Sequence, residues 1–193
     1  MNADSVGTEP RDLLRSVLKS QYHAALATLR GAIEACPREL WVSDEFPKPY
    51  WRVAYHALYF AHFYLQPRVP DFVPWDLDQH DIHSLDDRPP PRGFDDNEEF
   101  KGVPESPPQT GKPYTQAEVL AYWDLCDSMI DAGVDRLDLL SNESGFSWYR
   151  VPKIEHQIIS IRHIQHHAAQ LAERLRHATH THLEWVGAQR RQR

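Results

Sequence analysis

Two imidazoles one helical turn apart can share a metal ion, and the stretch RHIQHHAAQ over residues 162–170 supplies such a pair. His163 and His167 stand four positions apart, so on a helix their side chains diverge by only about 40° and lie about 6 Å apart along the axis. Imidazole is the commonest metal ligand, and this spacing points to a divalent ion held by nitrogen. Gln170 falls on the same side, as do Ser160 and His156, so a polar strip flanks the apolar stripe of the segment. His166 points about 100° away from His167 and is not expected to share its ion. The pair alone is a weak signal. Twelve histidines in 193 residues give about 0.7 such pairs by chance, so a third ligand is needed to make a site.

A source for that ligand is YHALYFAHFYL, residues 55–65. His56 and His62 are six positions apart, about 240° around a helix, so at most one can join a common centre. His56 borders the apolar side formed by Val53, Phe60 and Tyr64, where a buried imidazole needs partners for its nitrogens. His62 faces away and reads as a solvated or aromatic-packed residue.

Four helical segments must position these side chains. From Pro10 to Ala35 the residues Leu13, Leu14, Val17, Leu18, Tyr22, Ala25, Leu26, Leu29 and Ile33 recur at three- and four-residue steps, with Pro37 closing the helix. A second, aromatic-rich segment runs over about 50–65, opened by Pro49 and stopped by Pro67. The third begins at Thr115 with a Thr115/Glu118 capping box and extends to about 140, where Ser141, Asn142 and Gly145 break it. The fourth spans about 153–178, with Ile154, Ile158, Ile161, Ala168, Leu171 and Leu175 on one side. With no strand-like alternation, the economical fold is all-α: a single-domain four-helix bundle.

Residues 67–113 hold ten of the fifteen prolines and read as a long irregular crossover between the second and third helices, which allows those two to run parallel. Phe72, Trp75, Phe94 and Phe100 favour partial packing onto the bundle. Residues 76–99 carry nine acids against two bases and so account for the whole formal charge of −7; the rest of the chain is neutral, nineteen against nineteen. Acidic, proline-rich segments are usually solvated, so this one is expected to hang free. Asp76, Asp78, His80 and Asp81 resemble the start of a calcium loop, but Asp81 stands where glycine is required and Asp87 where glutamate is required.

Other chemistries are excluded more firmly. The only dense basic cluster is Arg190, Arg191 and Arg193, expected to be a frayed tail along with His177, His180 and His182, so nucleic-acid binding is not expected. Two cysteines, Cys36 and Cys126, make no disulfide framework and suit a reducing cytoplasm. The N-terminus lacks the features of a signal peptide, and no stretch could span a bilayer. There is no H-E-x-x-H, G-x-S-x-G or phosphate-cradling glycine loop, and no paired Glu-x-x-His motif for a di-iron centre.

The segments W-R-V-A-Y-H-A-L-Y-F and R-H-I-Q-H-H-A-A-Q-L resemble the DinB-like metal-binding four-helix bundles. The latter segment is similar to that family's H-x-x-H-H-x-x-Q pattern, with Ala169 in place of the usual glycine. The resemblance covers about residues 9–66 and 114–180. It implies an up-down-down-up bundle and a homodimer. It also implies a divalent ion (zinc, nickel or iron) on His56, His163 and His167, with Gln170 and His166 orienting the ligand imidazoles. Characterised members include thiol S-transferases, so the resemblance further implies a low-molecular-weight thiol as cofactor and a small-molecule electrophile as substrate. Because no further acid, base or nucleophile stands out, a non-catalytic metal-stabilised bundle, acting in stress response or as a dimeric interaction module, is the alternative expectation.

Overall fold

The computed structural model describes residues 9–79, 82–85 and 111–189. Over those residues the chain is all-helical. Helix α1 spans Pro10–Glu34, the short α2 Arg38–Trp41, α3 Tyr50–Tyr64, α4 Gln116–Arg136 and α5 Lys153–Thr179, with a single 3-10 turn at Val69–Asp71. No helix among the described residues is long and apolar enough to cross a membrane.

The helix starts follow from local chemistry. Proline opens α1 at its first position, and Pro49 and Pro152 precede α3 and α5, where a missing amide proton costs nothing. At α4 the Thr115 hydroxyl accepts the amide of Glu118 at 3.2 Å, and the Glu118 carboxylate accepts the amide of Thr115 at 2.7 Å. The same helix ends at Arg136, short of the expected 140. Leu137 leaves the helix in extended conformation, Leu137 and Leu139 are both buried, and Asp138 accepts the amide of Leu140 within the 138–141 turn.

The four long helices share one core, in which Tyr22, Leu26, Val53, Leu58, Tyr122, Ile130, Ile164 and Leu171 are almost wholly buried. Each of α1 and α3 packs against both α4 and α5. Between α1 and α4 the contacts run in opposite sequence order, as Arg30–Asp124, His23–Asp127 and Lys19–Asp135. Contacts of α3 with α5 also run in opposite order: His56–His163, Tyr64–Gln157 and Pro67–Lys153. Those of α3 with α4 run in the same order, as Leu58–Cys126 and Leu65–Gly133.

Three packing expectations change. Leu13 and Val17 are 55% and 45% exposed, because the first turns of α1 extend beyond their neighbours. Ile158 is 48% exposed while His156, Gln157 and Ser160 are buried, so the polar strip of α5 faces inward at this level instead of flanking the apolar stripe. The chain beyond α5 does not fray through residue 189. His180 takes the left-handed conformation (φ 58°), and the following residues lie along α1, with the Val186 amide donating to Thr28 Oγ1 and the Gln189 amide to the Ser20 carbonyl. Arg190, Arg191 and Arg193 lie outside the described residues.

The described ends of the crossover pack onto the bundle instead of hanging free. Trp75 stacks on Tyr122 with ring centroids 4.6 Å apart, Phe72 lies 4.8 Å from Phe63, and Ile82 is buried. Gln79 exchanges two hydrogen bonds with the backbone of Lys112, and a Cβ on Gly111 would collide with Ile82, so the two ends of the crossover meet here. His80, Asp81, Asp86, Asp87, Phe94, Asp95, Asp96, Glu98, Glu99 and Phe100 lie outside the described residues. Asp78, expected in a solvated loop, accepts a hydrogen bond from the Tyr55 hydroxyl.

The turn before α5 is braced against the end of α3. Gly145 has φ +85°, and a Cβ there would sit 2.1 Å from the Pro67 carbonyl oxygen. That oxygen also accepts from Lys153 Nζ at 2.8 Å. Gly145→Ala combines backbone strain with a clash against backbone, and is expected to cost about 2 kcal/mol or more. A denaturant titration showing a loss of under about 0.5 kcal/mol would contradict this account.

Candidate metal centre

Helices α3 and α5 cross where His56 faces His163 and His167. The His56 and His163 Nε2 atoms lie 3.0 Å apart, and those of His163 and His167 lie 3.1 Å apart. These three side chains form the group among the described residues whose ligand atoms converge closely enough to hold an ion. Three imidazole nitrogens around one ion at about 2.1 Å, with angles of 90–109°, would lie about 3.0–3.4 Å apart; the two contacts made by His163 fall in that range, and all three ligand atoms lie within 4.8 Å of one another.

The far side of two rings fixes which nitrogen is free. His56 Nδ1 lies 2.5 Å from the His83 carbonyl oxygen. A carbonyl only accepts, so the proton sits on Nδ1 and the lone pair on Nε2 points into the cluster. His167 Nδ1 stands 3.0 Å from Gln170 Oε1 and is fixed in the same sense. His163 Nδ1 is buried without a hydrogen-bond partner. At most one proton can occupy the space among the three Nε2 atoms, so at least two lone pairs are aimed at one point. A cation satisfies that arrangement; a hydrogen-bond network within the cluster does not.

The electrostatics agree. Burial, then the proximity of His167 and His163, pushes His56 well below the ordinary imidazole range. Burial is also the main reason His163 is pushed down to about 3 and His167 to about 4, the neighbouring imidazoles adding to it. All three are therefore neutral at pH 7, the state a metal ligand requires. Phe60 supplies an apolar wall, its ring 4.8 Å from that of His56 and 5.4 Å from that of His163.

No protein-family model, curated protein or solved structure matches this chain.

Of the residues picked out in the sequence, His56, His163 and His167 come together, and Gln170 Oε1 lies 3.0 Å from His167 Nδ1. His166 does not orient a ligand through a hydrogen bond. It is exposed, and its ring meets that of His167 edge-on at 4.9 Å. His62 is buried on the α4 side, with Nδ1 3.1 Å from the Tyr122 hydroxyl and its ring against Phe72. His156 sits deeper along α5 among Tyr64, Phe146 and Tyr149, away from the triad.

The His83 carbonyl went unread in the sequence because it comes from the crossover, where no periodicity links it to His56. Also unread was His23, whose Nδ1 lies 2.6 Å from Asp127 at the α1–α4 seam. The only signal there was a histidine on an apolar stripe facing an acid on another.

Proposed function

We propose that this chain is a divalent-metal-dependent enzyme of the DinB-like kind, with His56, His163 and His167 as the ligands. The observation that carries the reading is the convergence of three neutral Nε2 atoms, two of them with the opposite nitrogen tied to an acceptor. The order of the interhelical contacts supports an up-down-down-up bundle, since α1 runs against α4, α3 with α4, and α3 against α5.

A bound ion with three protein ligands keeps positions open, where it would lower the pKa of a coordinated thiol and present it as thiolate. The chain's own part is to hold three nitrogens in the neutral state, fix two ring orientations through His83 and Gln170, and wall the site with Phe60. Its own thiols are unsuited to be the nucleophile. Cys36 and Cys126 are buried, and burial pushes Cys36 up to about 12 and Cys126 higher still. That favours a low-molecular-weight thiol taken from outside and transferred to a small electrophile.

One observation favours the non-catalytic reading: among the described residues, no carboxylate, lysine or tyrosine hydroxyl hydrogen-bonds to any of the three ligands. Cobalt-loaded protein titrated with cysteine and with glutathione separates the two. The enzyme reading expects a saturable thiolate-to-cobalt absorption band and consumption of a generic electrophile in proportion to metal occupancy. A coordination sphere that admits neither thiol, with no turnover, would establish the metal as purely structural.

A further inference from the structure

Arg52 lies one helical turn before His56 on α3 and is buried at the same face. Its Nε donates to the Ile82 carbonyl at 3.2 Å and its Nη2 to the Ser84 carbonyl at 2.7 Å. The carbonyl between them, that of His83, accepts from His56 Nδ1 at 2.5 Å. Three consecutive carbonyls of the crossover are thus taken up by two side chains spaced i, i+4 on one helix. The segment is also held from its own side. Ile82 is 2% exposed in the core, and the His83 ring stacks on Tyr59 at 4.0 Å with planes 6° apart.

We infer that Arg52 is a positioning residue for the metal centre, acting through the backbone of residues 82–84 to fix the ring orientation and tautomer of His56. The inference rests on the three-histidine reading. Its physical basis is that a backbone carbonyl outside a helix has no neighbouring turn to hold it in place for a ligand. Such a carbonyl can hold an imidazole only if something holds the carbonyl. Guanidinium suits the task, because its planar fork carries donors at fixed separation and stays charged under burial. A lysine would give one rotatable point in place of a fork. Coupling of this kind is reciprocal: if the docked segment favours the ion, the ion favours the docked segment by the same factor.

The test uses the full chain and its Arg52→Met and Arg52→Gln variants, with His163→Ala as the reference. Zinc affinity is measured by competition with a chromophoric chelator, and the His56 tautomer from imidazole ¹⁵N shifts in metal-free protein. Amide exchange of residues 82–85 is followed with and without zinc. Arg52→Met is expected to bind one ion 10- to 100-fold more weakly than wild type, the range for loss of support behind a ligand. Its His56 signals should move from the Nδ1–H form to a mixture, and zinc should slow amide exchange at 82–85 far less than in wild type. Arg52→Gln should be weakened at least fivefold and serves as the folded variant if Arg52→Met does not fold.

A folded Arg52 variant with wild-type zinc affinity and an unchanged His56 tautomer would overturn the inference, even if its melting temperature had fallen. That pattern would mark Arg52 as purely structural. If wild type binds no ion, or His163→Ala keeps full affinity, the three-histidine reading fails and this inference falls with it. The two failures are thereby distinguished.

Discussion

His167→Ala is expected to leave a folded protein that no longer retains metal. Its zinc affinity should fall more than about a hundredfold, so dialysis strips the ion from the variant and leaves it in the wild-type chain. Binding free energies of about 10–16 kcal/mol at four-ligand structural zinc sites correspond to about 3 kcal/mol per ligand, which is more than a hundredfold in affinity. The deletion removes one of three converging lone pairs and also the Gln170 contact behind it. Elemental analysis after dialysis reads the result, and circular dichroism verifies the fold. His62→Ala is the matched control. It also removes a buried histidine from this helical core, but one bonded to Tyr122 on the α4 side, and it should keep its ion. Full occupancy in His167→Ala would refute the ligand assignment.

The histidine cluster was legible in part from helical arithmetic, the full set of three being what the family resemblance implied. His163 and His167 were joined by a four-residue step, and the six-residue step between His56 and His62 allowed only one of them to face the pair. The structure places His56 there and sends His62 to the other side of α3. What stayed illegible came from contacts without a period. The Arg52 fork and the His83 carbonyl depend on where an irregular crossover touches down, which composition cannot reveal. The acidic, proline-rich character of that segment pointed to solvation, yet its described ends carry Trp75 and Ile82 into the core. Helix α5 was misjudged for a different reason. Apolar periodicity assigns Ile158 inward, but Tyr22 donates to Gln157 Oε1 at 2.7 Å and Gln157 Nε2 donates to the Tyr64 carbonyl at 3.0 Å. A satisfied polar network can occupy a core position that hydropathy reserves for a hydrocarbon.

Acid is expected to unfold this protein at a pH where ordinary carboxylate-rich domains remain intact, and two buried histidines outside the triad add to the effect of the three within it. Burial pushes His62 down to about 4 and, with the charge of Lys153 adding to it, pushes His156 down to about 4 as well. In the unfolded chain both titrate near 6.5. Between pH 7 and 8 both are neutral in either state and contribute no slope. Below about pH 6.5 the unfolded chain takes up the two protons and the folded chain refuses them. The advantage of the folded state is therefore complete above that pH and is lost as the pH falls towards about 4. Two such protons give a slope of about 3 kcal/mol per pH unit, large against a typical stability of about 5–15 kcal/mol. Urea unfolding in steps from pH 8 to pH 5 should show a plateau followed by a descent at least that steep, since the triad imidazoles also resist the proton. His62→Gln and His156→Gln should each reduce the slope by about 1.4 kcal/mol per pH unit, whatever they do to the plateau, because glutamine offers a polar side chain that does not titrate. A slope left unchanged by both substitutions would mean that these buried imidazoles are not the groups that resist the proton.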